Sequence, residues 1–235
     1  MKKILLVGLT LLLSLMALSA GDVATFVDKG FSEDGKYYVF GQYGRTDKKY
    51  QGWAEIYQVD IAKNDFVSGG VFKTKPSAVT ADKTGAEVYE ALEAKSYFYL
   101  KNLNCKQADA NQLMYICDDA SKSGTDKIIF KDFNGSEIDN PNTFNIQLVP
   151  TFSGYGKNIK SSFYIMVEKK DAEGNLISRT QVGSPDVVRA GVSAYKIEKI
   201  VCDKSEHNFI FIVEKTVEDE DGPSIRYMVE TAIIK

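Results

Sequence analysis

Residues Gly30 to Asp60 read GFSEDGKYYVFGQYGRTDKKYQGWAEIYQVD. Asp34-Gly35 is a turn signal, because glycine reaches the left-handed backbone region without a steric penalty. Lys36 to Tyr43 and Glu55 to Ile61 are rich in aromatic and β-branched residues. Two such runs, parted by Gly, Asp and Lys, predict neighbouring strands. The stretch returns as VCDKSEHNFIFIVEKTVEDEDGPSIRYMVE, Val201 to Glu230. Laid over one another, Ser32 falls on Asp203, Asp34 on Ser205, Tyr38 on Phe209, Val39 on Ile210 and Phe40 on Phe211. Tyr57 then falls on Tyr227 and Val59 on Val229. The two segments form a candidate duplicated β unit. Two copies are too few for a stacked repeat array.

Strands dominate outward from this stretch. Asn64-Asp65 and Gly69-Gly70 mark turns. Lys127 to Phe133 and Thr143 to Pro150 read as a pair around Asn134-Gly135. Phe163 to Lys169 and Leu176 to Val182 flank Asp171 to Asn175 (DAEGN), a hairpin signal. Lys196 to Val201, Asn208 to Thr216 and Ile225 to Ile234 complete the series. One segment differs. Thr84-Gly85-Ala86-Glu87 has the form of a capping box, and Ala86 to Leu103 contains neither Gly nor Pro. Val88, Leu92, Tyr99 and Leu103 share one face at helical spacing. Asp109 to Cys117 stays open between a short helix and a strand. The expected fold is mainly β: antiparallel meanders, sandwich-like or partial-propeller-like, with one long helix around 84–103.

Residues 1–20 have the build of a secretory signal peptide. Lys2 and Lys3 precede an apolar run from Ile4 to Leu15, and Ala17-Leu18-Ser19-Ala20 ends in small residues. No cysteine lies beside the cleavage site, which argues against a lipid anchor. The expected remainder, 21–235, is a single β-rich domain with a helical insertion at about 82–118 and no membrane span. Export also sets the charge. Without Lys2 and Lys3, 27 basic residues face 32 acidic ones, a net charge of −5. An acidic surface without a basic stripe repels phosphate backbones, so nucleic acid is not an expected partner.

Three cysteines are an odd number for an oxidising compartment. Cys105 and Cys117 could close a short loop, worth about 3 kcal/mol in the chain-entropy model. Cys202 takes the place of Phe31 in the internal alignment and reads as a buried apolar thiol.

The FSEDGKYYVF run followed by WAEIYQVD resembles one blade of the TolB-type periplasmic propellers. GDVATFVDKGFSEDGKYYVFGQYG, WAEIYQVDIAKNDFVSGGVF and the late IRYMVE segment are also similar to an uncharacterised family of predicted secreted bacterial proteins, the domain of unknown function 2259. That resemblance covers the two ends of the mature chain best. It implies export and a β-rich fold, and it brings no catalytic residues.

Chemistry is sparse in the sequence. His207 is the only histidine and aligns with the turn at Lys36, which leaves little room for a zinc site or a His-based triad. Ser193-Ala194-Tyr195-Lys196 and Lys83-Thr84-Gly85 match S-x-x-K and K-T-G. Their order is reversed, and Ser193 precedes a strand where a helix N-terminus is required. Glu218 to Asp221 is a carboxylate cluster whose spacing does not fit a calcium loop. No catalytic, cofactor-binding or metal-ligating residue is assigned, and no cofactor is expected. The crowded aromatics of the first module, Tyr37, Tyr43, Tyr50 and Trp53, are the candidate binding surface. The leading reading is a periplasmic or secreted, non-enzymatic binding or scaffolding domain whose partner is an envelope protein or a glycan. The alternative is a hydrolase of an envelope polymer, whose mark would be a pocket joining Asp34, Glu55 or Asp60. Oligomeric state is left open.

Overall fold

A computed structural model describes residues 22–118, 124–137, 139–219 and 222–234, without the side chains of 133–137. The signal-peptide segment and the Glu220-Asp221 half of the acidic cluster therefore lie outside the described residues. The first sheet is an antiparallel meander of β1 (Thr25–Phe31), β2 (Tyr37–Arg45), β3 (Gly52–Asp60) and β4 (Asp65–Thr74). Helix α1 (Gly85–Lys101) and short β5 (Leu113–Ile116) follow. The second sheet contains β6 (Ile128–Glu137), β7 (Asn140–Ser153), β8 (Lys160–Lys170), β9 (Leu176–Val182) and β10 (Arg189–Ala190). The third has the order β13 (Gly222–Ile233), β12 (Asn208–Asp219), β11 (Val192–Cys202), β5.

Side-chain alternation explains how these sheets stack. On β12, Phe209, Phe211 and Val213 pack with Phe144, Ile146, Leu148, Phe163 and Ile165 of the second sheet. The intervening Ile210 and Ile212 pack with Tyr38, Phe40, Tyr57 and Val59 of the first. The third sheet is thus the middle layer, buried on both faces. A strand with two buried faces must be apolar at every position, and this accounts for the unbroken FIFIV run. The first sheet repeats the logic: the opposite face of β2 and β3, with Val39, Ala54 and Ile56, is covered by Val88, Tyr89 and Leu92 of α1. The layers run helix, sheet, sheet, sheet, a sandwich arrangement. Among the described residues no strand closes a barrel.

The helix forms for the local reason read in the sequence. The Glu87 amide donates to Thr84 Oγ1 at 3.2 Å, and the Thr84 amide donates to Glu87 Oε2 at 2.7 Å. The reciprocal pair satisfies two amides that the first turn leaves without partners. Asp109 to Cys117 resolves into both alternatives: a 3-10 turn at Ala110–Gln112, then β5.

The internal repeat is geometric at the turn. The Ser32 amide donates to Tyr37 O at 2.8 Å, and the Asp203 amide donates to Asn208 O at 3.0 Å. Gly35 and Glu206 both have positive φ, +70° and +56°. The bracing pair is exchanged: Ser32 Oγ donates to Asp34 Oδ1 at 2.7 Å, and Ser205 Oγ donates to Asp203 Oδ1 at 2.8 Å. The second strand of the alignment shifts. Phe40 pairs with Tyr57, but Phe211 pairs with Glu230, so Tyr57 corresponds to Glu230 and not to Tyr227. The first hairpin opens at Arg45 and Gly52, whereas the second stays paired to Asp219 and Gly222. Spacing between aromatic landmarks follows loop length, and register follows the ladder.

Two turn readings become strand irregularities. Gly69-Gly70 lies inside β4, at a register shift against Tyr57 and Val59. This bulge bends an exposed edge strand, a device that discourages edge-to-edge pairing. Asn134-Gly135 lies inside β6, in the shift between Asp132 and Glu137, and Glu137 already pairs with Asn140.

Candidate functional site

The three sheets meet along a groove of about 500 Å³. Val59 and Phe66 contribute from the first sheet, Ser184, Val187 and Arg189 from the segment after β9, and Met228 to Glu230 from β13. Phe66 and Val187 are about half exposed, at 46% and 51%. Glu230 is the buried charge of the groove, at 6% exposure. Arg189 NH2 lies 3.3 Å from Glu230 Oε1, and Asn64 Nδ2 donates to Oε2. Gly183 permits this nesting, since a Cβ there would stand 3.2 Å from Oε2. Burial pushes the Glu230 carboxyl up, opposed by the Asn64 hydrogen bond and the Arg189 charge. Arg189 is itself fixed, its guanidinium 4.8 Å above the Phe163 ring.

Asn64 has a second task. It follows β3 in the left-handed region, at φ +52°, and its Oδ1 accepts the Thr231 amide at 2.7 Å. Gln42 Oε1 accepts the Tyr227 amide at 2.8 Å, and Asp22 O accepts that of Ile225 at 2.9 Å. The outer edge of the middle sheet is thus satisfied by side chains and by the N-terminal segment, where a further strand would otherwise serve.

Beside the groove lies an ionic network. Asp22 accepts from Trp53 Nε1 and, at 2.9 Å, from Arg226 NH2, whose guanidinium stacks 4.2 Å over the Trp53 ring. Glu55 accepts from Tyr57 OH, from Gln42 Nε2 at 2.8 Å and from Lys73 Nζ at 3.0 Å. Burial pushes the Glu55 carboxyl up, but these three donors outweigh it and hold the group below its ordinary value. A lowered carboxylate contributes stability above its unfolded pKa and loses it as pH falls through the folded one. Glu55→Gln is therefore expected to cost about 2 kcal/mol at pH 7, where charged hydrogen bonds are lost. The gap to wild type should close as pH falls below the ordinary glutamate value of about 4.3. Denaturation of both proteins across pH measures it, and a pH-independent gap would contradict the assignment.

The aromatic candidates do not share one face. Trp53 is 4% exposed, enclosed by Arg226 and Asp22. Tyr37 and Tyr43 lie on the helix-covered side of β2, where Tyr43 packs against Tyr89 at 5.4 Å. Tyr50 is exposed on the β2–β3 connection, with Arg45 5.1 Å over its ring. Cys105 lies against the core beneath α1, and Cys117 follows β5 with its amide donating to Glu198 O at 2.8 Å. Burial pushes the Cys105 thiol up to about 11 and the Cys202 thiol up to about 12. Cys202 is fully buried. Iodoacetamide at pH 8 should therefore leave Cys202 unmodified in the native protein and label it only in denaturant, a result readable by mass spectrometry.

Catalytic pairings are absent from the places the sequence offered. Ser193 Oγ donates to Glu218 Oε1 at 2.6 Å, while Lys196 lies 3.1 Å from Glu198. His207 is exposed after the second turn. Asp34 and Asp60 do line one open cleft, without Glu55. Asp34 is held low by Ser32 and Lys36, and Asp60 by Lys63, so both stay ionised and neither suits a general acid. Among the described residues no group of His, Cys, Asp and Glu could hold a metal ion, and no helix is long and apolar enough to cross a membrane. Sequence reasoning missed Asn64, Arg189 and Glu230. Glu230 offered one signal, as the only carboxylate of β13.

Fold and groove define a layered antiparallel sandwich with a cleft where its three sheets converge. The profile of the family described as Predicted secreted protein (DUF2259) matches residues 39–232, and the chain belongs to that family. The match spans the middle of the chain together with WAEIYQVDIAKNDFVSGGVF and IRYMVE, and it begins after the first eighteen residues of the GDVATFVDKGFSEDGKYYVFGQYG stretch. No curated protein and no solved structure matches it.

Proposed function

We propose that this secreted-family protein is a non-enzymatic binding or scaffolding domain of the bacterial envelope, working in the periplasm, with its ligand seated in the three-sheet groove. Residues 21–235 act as one unit in this reading, because the groove needs all three sheets. The observation that carries it is the composition of the groove: half-exposed Phe66 and Val187 beside polar groups already fixed in place, Glu230 by Asn64 and Arg189. A cleft that sets apolar side chains beside oriented polar and charged groups, here also Lys63 and Asp65, suits recognition of a ligand with both characters. Tyr50, exposed on its turn, is the lesser candidate contact.

Capture from cross-linked cell envelopes tests this, using wild type, Val187→Trp to fill the groove, Tyr50→Ala, and Phe98→Ser on the far face of the helix. Partners should be lost with Val187→Trp and kept with the other two. An unchanged partner set in Val187→Trp would sink the groove, and no partner above background would sink the scaffold reading.

A further inference from the structure

Four cations gather where β12, β13 and the end of the groove come together: Lys73, Arg189, Lys215 and Arg226. Three have a carboxylate. Lys73 pairs with Glu55 at 3.0 Å, Arg189 with Glu230 at 3.3 Å and Arg226 with Asp22 at 2.9 Å. Lys215 has no ion-pair or side-chain hydrogen-bond partner among the described residues. Its strand neighbours cannot supply one. The ladder sets it opposite Arg226 on β13 and opposite Tyr195 on β11. Like charges directly opposite on a sheet are unfavourable. Tyr195 packs against Phe163 at 4.5 Å, and Phe163 carries Arg189 on its ring at 4.8 Å. A second cation therefore borders Lys215 from the second sheet. The side chain is half-buried. Burial pulls its ammonium down, and the Arg189, Lys73 and Arg226 charges pull the same way against the one opposing charge of Glu55. The ammonium still reaches solvent, and the cations around it outnumber the one opposing carboxylate, Glu55, so an anion brought beside it would be favoured.

We propose that Lys215, bordered by Arg189, is the contact for an oxyanion group, a carboxylate or a phosphate, carried by the ligand of this protein. Arg189 lines the groove, so the apolar remainder of the ligand would lie against Phe66 and Val187. That placement rests on the groove reading; the anion contact does not. An oxyanion supplies the one charge the cluster lacks, and Lys215 offers three donors to it. Specificity follows: an uncharged glycan would leave the ammonium unpaired, whereas an acidic glycan, a phosphorylated head group or a peptide carboxylate would satisfy it.

The test uses the exported protein at low ionic strength. Thermal unfolding is followed with added inorganic phosphate and, in a second arm, with sodium acetate, each against sodium chloride of equal ionic strength. Wild type should gain roughly 5–10 °C at a hundredfold excess over Kd. Lys215→Met should gain nothing, and Lys215→Gln serves if the methionine variant folds poorly. Lys36→Met removes a surface cation paired with Asp34 at 3.3 Å, outside the groove, and should respond as wild type does. A response to phosphate alone assigns a phosphate group, and a response to acetate alone assigns a carboxylate. No wild-type response in either arm, or an equal response in the Lys215 variants, overturns the proposal. Val187→Trp separates the two readings, because it blocks the groove and should leave the response to a small ion intact.

Discussion

Gly30→Ala is expected to destabilise the protein by about 3–5 kcal/mol, joining left-handed backbone strain to overpacking. Gly30 has φ +91° and sits at a bulge of β1, where the register against β2 shifts between Asp28 and Gly30. A Cβ there would stand 2.0 Å from Lys106 O and 2.6 Å from Gln107 Cα. Both obstacles are backbone, so no rotamer change relieves them. Relief means parting Phe31 from Lys106, whose reciprocal hydrogen bonds at 2.9 Å tie the segment after the helix to the first sheet. Gly35 is the internal control. It has φ +70° with nothing within 4 Å of a Cβ, so Gly35→Ala carries only the backbone term, about 1–2 kcal/mol. Chemical denaturation of the two variants separates conformation from packing. Equal losses would mean that the approach of Lys106 is not a constraint.

Phe211→Ala is the second large effect, about 3–5 kcal/mol, and a fall in Tm on the order of 10 °C for a chain of this length. Phe211 is fully buried in the middle strand of the middle layer, with Phe209 at 6.5 Å on the same face. Sheets close on it from both sides and leave little freedom to collapse into the cavity. Phe66 offers the comparison. At 46% exposure on the lip of the groove, its truncation should cost below about 1 kcal/mol while weakening ligand capture. Calorimetry on both variants checks the pair, and similar losses would contradict the three-layer packing.

The residues that revealed the architecture share one property: their signal is local. The Thr84 and Glu87 capping box lies within four residues, and the DAEGN turn closes on itself through Asp171 and Asn175. The Ser32–Asp34 and Ser205–Asp203 braces are also short-range, so the repeat was visible at its turns. It was misread in the second strand because ladder register depends on how far each hairpin stays paired. Trp53 shows the limit for the candidate binding surface. An aromatic on an alternating strand looks the same in sequence whether its face meets solvent or Arg226, a residue 173 positions away.

The sequence by itself determined the strand-rich composition, the one capped helix, the repeated turn and the resemblance to a secreted family, because propensity, capping and turn chemistry act within a few residues. Only the tertiary structure decided which sheet lies in the middle, and that Asn64, Arg189 and Glu230 meet in a groove. Asn64 and Glu230 are 166 residues apart, and no local rule prices a contact at that separation. The same holds for Lys215. One lysine in a strand is ordinary in sequence, and it becomes a candidate oxyanion contact only where three layers set cations around it and leave it without an ion-pair partner of its own.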